Sequence, residues 1–213
     1  MIKLNLQPDE ILVLRDVSAT MMAHKGFRWP ESGPVEAPDW EDTDCCGHGL
    51  HGLPWGEGGD YRVGGSGAKY LVVRVSTIAG NYQHGTGEMT DKCKFRRGVV
   101  ELCGTIVEAT AMISAHAPVG TRCNWSTLTG GDWSTLTGGN RSTLTGGDRS
   151  TLTGGDRSTL TGGDGSTLTG GDGSTLTGGD WSTLTGGAWS TLTGGDRSTL
   201  TGGNWSTLTG GDE

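Results

Sequence analysis

The chain has 213 residues, 19% of them charged and 32% hydrophobic, and a formal net charge of −8. That acidic balance argues against nonspecific binding to nucleic acid or to an anionic membrane surface, and no stretch approaches the ~20 apolar residues of a membrane-spanning helix. Composition changes sharply near residue 125: residues 1–124 carry net −3, whereas residues 125–213 carry net −5 and 24 of the 41 Gly. The expected organisation is therefore a domain over 1–124 and a second over 125–213.

The first ten residues, Met-Ile-Lys-Leu-Asn-Leu-Gln-Pro-Asp-Glu, lack the long apolar core of a signal peptide. The five cysteines all precede the repeats. An odd number without an export signal reads as a reduced compartment, so a cytoplasmic location is expected.

Ile11-Leu12-Val13-Leu14-Arg15 reads as a buried strand. Residues 26–60 are rich in Gly, Pro, Trp and acidic residues and read as irregular. Lys69 to Val75 and Arg97 to Cys103 are the two clearest further strands. Thr105 to His116 has helical spacing, with Ile106, Ala109 and Ile113 on one side and Thr105 placed as a cap. These elements predict a small α+β domain of ordinary size.

Three stretches of this half invite chemistry. Cys45, Cys46, His48 and His51 bring four metal-ligand types into seven residues. Thiolate and imidazole suit zinc, but adjacent cysteines do not make a C-x₂-C pair, so loop cysteines and turn histidines are preferred. Cys93 and Cys103 are the residues that could complete such a site in space. A nucleophilic pair of Cys46 with His48 or His51 lacks an orienting residue at a diagnostic spacing. Gly64-Gly65-Ser66-Gly67-Ala68-Lys69 departs from the phosphate-loop pattern and leads into a strand instead of a helix, which sets it aside.

From Trp125 to Asp212 one eight-residue unit recurs eleven times: a variable residue, Ser-Thr-Leu-Thr-Gly-Gly, then usually Asp. Repetition at constant period outranks local propensity. Ser-Thr-Leu-Thr alternates like a short half-buried strand, with Ser and Leu on one side and the two Thr on the other. Gly-Gly-Asp-x supplies a turn in which Gly accepts positive φ and Asp bonds to its own turn backbone. Strand and turn at fixed period predict a β-solenoid, because one short strand cannot bury its Leu alone. Eleven leucines, Leu128 to Leu208, form its core column, each contributing roughly 1.5–3 kcal/mol when fully buried. Two units per coil give a flat rod of roughly 26 Å at about 4.8 Å per rung; three per coil, a triangular section, stays open.

Variation is confined to the turn. The variable position reads Trp125, Trp133, Arg141, Arg149, Arg157, Gly165, Gly173, Trp181, Trp189, Arg197 and Trp205, and the residue after Gly-Gly is Asp except at Asn140, Ala188 and Asn204. Arg over Trp is a favourable stack, and five Trp on the edges of a small rod mark a contact surface. The Asp column raises calcium, but the eight-residue period differs from the nine-residue calcium-binding roll, so turn capping is preferred. No cofactor is expected.

Units such as Gly146-Gly147-Asp148-Arg149-Ser150-Thr151-Leu152-Thr153 resemble the octapeptide halves of bacterial ice-nucleation protein repeats. They resemble still more the tandem octapeptide tails of proteins encoded by tailed bacteriophages and prophages, whose N-terminal domains carry segments similar to Gly26–Pro34 and Gly49–Leu53. The phage resemblance implies a β-solenoid protein acting in the host cytoplasm and engaging, or sensed by, host defence proteins. The ice-nucleation resemblance implies outward Thr-x-Thr ladders that order water. Here both half-repeats are the same and the array is short, so strong nucleation is not implied.

The reading is a non-enzymatic solenoid with an N-terminal capping domain. It is expected to self-associate through the last strand (Ser206, Thr207, Leu208, Thr209) as a dimer or larger ring. Trp125, Trp133, Trp181, Trp189, Trp205, Arg141, Arg149, Arg157 and Arg197 would form an interaction surface for itself or a host protein. Two alternatives stand beside it: ice or ordered-water binding through the Thr ladders, and a zinc-containing or enzymatic N-terminal domain.

Overall fold

The structure, a computed structural model, describes residues 4–23, 26–43, 47–58, 66–84 and 92–212. The protein is mainly β and about 5% helical, an antiparallel sheet domain followed by a β-solenoid of about five turns. Two compact units, Met1–Pro118 and Val119–Glu213, divide the chain.

Unit one is built on β1 (Glu10–Val17) and β4 (Lys69–Ser76), both nearly continuous apolar runs. They pair antiparallel over their full length, from Glu10 opposite Ser76 to Val17 opposite Lys69. β7 (Arg97–Gly104) lies beyond β4, and β2 (Gly33–Glu36) forms that edge of the sheet. On the other side of β1 come β3 (Leu50–Pro54), β6 (Cys93–Phe95) and β5 (Tyr82–His84). Val13, Leu71, Val73, Val75, Phe95 and Trp29 are among the residues of the core. Arg74 ties the polar side together, donating from Nη1 to Glu10 at 2.8 Å and from Nε to Glu101 at 2.7 Å.

Residues 26–60 are not wholly irregular, since they contribute β2 and β3. Both contain residues that argue against strand, Pro34 in one and Gly52 in the other. Pro34 is tolerated because β2 is an edge strand, where a missing N–H costs least. Gly52 is needed because a Cβ there would run into Val13 Cγ1 and lie 2.7 Å from the Leu14 carbonyl.

The single described helix, α1 (Ile106–Ser114), begins as its sequence predicts. Thr105 Oγ1 accepts from the Glu108 backbone N–H at 3.2 Å, and Glu108 Oε2 accepts from the Thr105 N–H at 2.8 Å. This reciprocal cap satisfies two otherwise orphaned donors. Ala109, Thr110, Met112 and Ile113 are its buried residues.

Unit two is the solenoid. Each Thr-Leu-Thr is a three-residue strand, from β8 (Thr127–Thr129) at eight-residue steps to β18 (Thr207–Thr209). Every strand pairs in parallel with the one sixteen residues away, as in Leu144 opposite Leu160 and Leu152 opposite Leu168. Two units therefore make one coil. The even-numbered strands form a six-stranded sheet and the odd-numbered ones a five-stranded sheet. Leu144, Leu152, Leu160, Leu168, Leu176, Leu184 and Leu192 are 0% exposed and fill the space between the sheets.

Candidate functional site

The turn chemistry differs from the expectation in two respects. Positive φ belongs to the variable residue and not to Gly-Gly: Trp133 has φ 61°, Arg149 56° and Trp181 59°. A left-handed conformation costs a non-Gly residue roughly 1–2 kcal/mol, so only Gly165 and Gly173 occupy this position without strain. Gly-Gly is required instead by close approach. A Cβ on Gly162 would lie 2.6 Å from Ser166 Oγ, and one on Gly163 would run into Asp148 Oδ1 of the preceding coil.

Asp likewise serves the next coil, and not its own turn. Asp148 Oδ1 accepts from the Asp164 backbone N–H at 3.0 Å, and Asp164 Oδ1 from the Asp180 N–H at 3.0 Å. Asn124, just ahead of the first unit, starts the other column by accepting from the Asn140 N–H at 2.7 Å. The main-chain ladder runs on through the turns, for example Gly163 N–H to Gly147 carbonyl at 3.1 Å and Arg149 N–H to Asp164 carbonyl at 2.8 Å. The Asx side chain supplies the acceptor for the N–H of the next Asx. Ser, sharing the inner face with Leu, satisfies its hydroxyl on Gly carbonyls: Ser174 Oγ donates to Gly155 at 3.2 Å and to Gly171 at 2.8 Å.

What remains outward is regular. Both Thr of every unit are exposed, apart from half-buried Thr137 and Thr153. Successive rungs hold them in strict register, Thr143 opposite Thr159 and Thr145 opposite Thr161 on one sheet, Thr151 opposite Thr167 and Thr153 opposite Thr169 on the other. Each face is thus a grid with rungs about 4.8 Å apart and Thr–Thr steps of about 6.7 Å along the strand. The backbone beneath is fully laddered, so hydroxyl and methyl positions are held by the sheet.

The two edges carry the predicted interaction residues. Trp133, Trp181, Trp189 and Trp205 are 61–83% exposed, whereas Trp125 is half-buried. Arg149 lies over the Trp133 ring at 4.9 Å and Arg197 over Trp181 at 4.6 Å. Arg141 and Arg157 occupy the opposite edge with Trp125, Trp189 and Trp205, as the sixteen-residue register requires. Ser206, Thr207, Leu208 and Thr209 form the last strand and its approach, with Leu208 45% exposed.

The metal candidates divide. Cys45 and Cys46 lie outside the described residues. His48 and His51 line one groove of about 600 Å³ in unit one, together with Arg15, Trp29 and Lys92. His48 Nδ1 is 3.5 Å from Glu41 and 3.9 Å from Asp39. Burial and the nearby positive charges of Arg15 and Lys94 push His51 down to about 4, so it is neutral at ordinary pH. Among the described residues no cluster of three or more His, Cys, Asp or Glu has metal-binding geometry. Cys93 is fully buried, and that burial pushes its thiol up to about 12, which makes it inert as a nucleophile.

The geometry defines a parallel, two-sided β-solenoid with exposed threonine grids. The relatives found are of one kind. Over 124 residues (57% of this chain), the protein is 34% identical to an ice nucleation protein of Pseudomonas syringae pv. syringae, covering 10% of it. It is 32% identical over 120 residues to an ice nucleation protein of Pseudomonas fluorescens, covering 10% of that protein. It is 35% identical over 71 residues to ice nucleation protein InaU of Pantoea ananas, covering 7%. The chain thus spans a tenth or less of the length of these relatives. No family model matches, and no solved structure matches.

This similarity corrects the expected cytoplasmic location: ice nucleation proteins are outer-membrane-anchored surface proteins. That expectation rested on the lack of an apolar leader in the first residues and on an odd cysteine count. Neither feature outweighs a similarity to surface proteins that extends over more than half the chain.

Proposed function

We propose that the protein binds ice or ordered water through its threonine faces and is not an enzyme. The observation that carries this reading is the exposed, in-register Thr-x-Thr grid on both sheets. A water layer over a flat array of hydroxyls and methyls is positioned by the hydroxyls and confined by the methyls. The entropy of ordering that layer, up to ~2 kcal/mol per water, is then met before the lattice arrives. The similarity to ice nucleation proteins supports the reading.

The test is thermal hysteresis and ice-crystal shaping by the purified chain. Replacing Thr143, Thr159 and Thr175 on one sheet and Thr151, Thr167 and Thr183 on the other by Lys should abolish both effects while leaving the β circular dichroism intact. A wild-type protein that leaves ice growth unchanged would rule the reading out.

A second reading, self-association and protein contact through the edges, is supported by the exposure of Trp133, Trp181, Trp189 and Trp205. Light scattering decides it: a defined oligomer is expected, and a monomer at high concentration would end it.

A further inference from the structure

We propose that the edge around Gly165 is a binding slot for a flat, uncharged aromatic ring that bears a pendant ammonium group, a site separate from the threonine faces. The argument begins with rung spacing. Side chains at the variable position of successive coils stack, because rungs lie about 4.8 Å apart. Arg149 over Trp133 at 4.9 Å and Arg197 over Trp181 at 4.6 Å show this stacking within the protein. Gly165 falls between them and contributes no side chain, so Arg149 and Trp181 face each other across two rungs, about 9.6 Å. That leaves one flat layer empty. A groove of about 530 Å³ opens there, lined by Asp148, Arg149, Asp164, Gly165 and Trp181 and extending to Asp132 and Trp133.

The walls select the occupant. An aromatic ring in this layer lies against the Trp181 indole on one side and under the Arg149 guanidinium on the other, both favourable contacts. An aliphatic chain gains neither. The rim is acidic: this edge stacks six carboxylates, Asp132, Asp148, Asp164, Asp180, Asp196 and Asp212, against Arg149 and Arg197. Within the ladder Asp132, Asp148, Asp164, Asp180 and Asp196 accept through Oδ1, and the second oxygen supplies negative charge for an ammonium or N–H on the ring. The opposite edge has a similar gap at Gly173, between Arg157 and Trp189, but its Asx column is Asn124, Asn140, Asp156, Asp172, Ala188 and Asn204. Two carboxylates in place of six make that gap a poorer cation site.

The structure supplies its own test variants. Gly165→Trp fills the slot from within. Five other units already hold Trp at this position, and a Cβ on Gly165 meets only Arg149 Cγ at 3.5 Å. Asp148→Asn with Asp164→Asn removes charge and keeps the ladder, as Asn140 does by accepting from the Asp156 N–H at 2.9 Å. Trp181→Leu removes the upper wall. Gly173→Trp is the matched control.

The experiment is calorimetric titration of the full chain with tryptamine and, separately, with Trp-Lys amide, while the Trp181 indole N–H is followed by NMR. Saturable binding is expected, weakened about tenfold or more by Gly165→Trp and by Trp181→Leu. The double Asn variant should weaken it several-fold, and Gly173→Trp should leave it unchanged. Binding of tryptamine alone identifies a free aromatic amine as the ligand class, and binding of the peptide alone identifies a peptide-borne ring. Absence of binding, or equal binding by wild type and Gly165→Trp, overturns the proposal. Neither result bears on ice growth, so this site and the threonine faces fail separately.

Discussion

Asp172 Oδ1 accepts a hydrogen bond from the Ala188 backbone N–H at 2.8 Å, and Ala188 has no side-chain oxygen to offer Asn204 one coil further on. One Asx column is therefore interrupted. Gly203 adapts beside the break, its N–H shared between the Gly186 and Gly187 carbonyls at 3.2 and 3.1 Å.

Ala188→Asn should restore the missing acceptor without adding charge. One net hydrogen bond contributes about 1 kcal/mol, which corresponds to a rise of about 2–4 °C in Tm. Thermal unfolding followed by circular dichroism reads this directly. An unchanged Tm would show that solvent already satisfies the Asn204 N–H equally well.

The second glycine of each pair should be intolerant in the middle of the array and tolerant in the first unit. A Cβ on Gly163 runs into Asp148 Oδ1, whereas one on Gly131 has nothing within 4 Å. Gly163→Ala is expected to destabilise by about 1–3 kcal/mol through overpacking, with Gly131→Ala close to neutral. Chemical denaturation of the two variants compares them. Equal effects would mean that backbone conformation, not contact with the coil below, selects glycine.

The leucine column should weaken toward its last rung. Leu168 is 0% exposed and Leu208 is 45% exposed. Leu168→Ala should cost about 2–5 kcal/mol, the usual range for a buried Leu. Leu208→Ala should cost less than about 1 kcal/mol, as partly exposed positions do. Denaturation midpoints test the gradient, and a uniform cost along the column would contradict it.

Unit one should lose stability on mild acidification. His51 sits at about 4 in the folded state against an ordinary 6.5, because of burial first and then Arg15 and Lys94. As pH falls, the unfolded chain takes up the proton first, so the stabilisation is complete above about 6.5 and is lost progressively between 6.5 and 4. His51→Gln should flatten the slope in that window. An identical pH profile for the variant would show that other groups set the acid response.

Much of this protein is legible in its sequence. The eight-residue period, the inward Ser and Leu, the outward Thr and the αN-terminal cap at Thr105 all follow from local rules. Side chains in a strand alternate faces, and Thr105 with Glu108 forms a reciprocal cap three residues apart. The strands over Ile11–Arg15, Lys69–Val75 and Arg97–Cys103 are legible from their apolar and β-branched cores, Ile11–Leu14, Tyr70–Val73 and Val99–Val100. The threonine grid was visible as an outward alternation, and the Trp and Arg of the edges as a variable column.

The rest depends on residues far apart in the chain. β2 and β3 contain Pro34 and Gly52, which only an edge position and the approach of Val13 explain. The pairing across sixteen residues, and not twenty-four, appears only in the strand register, which gathers the leucines of both sheets into one buried core. Gly-Gly and Asx read alike in sequence as turn formers. Only the stacked coils show that the second glycine makes room for the coil below, that the first makes room for the Ser four residues on, and that the Asx oxygen caps the next N–H, leaving positive φ to the variable residue. A turn's sequence reports its own backbone; what lies against it is decided one coil away.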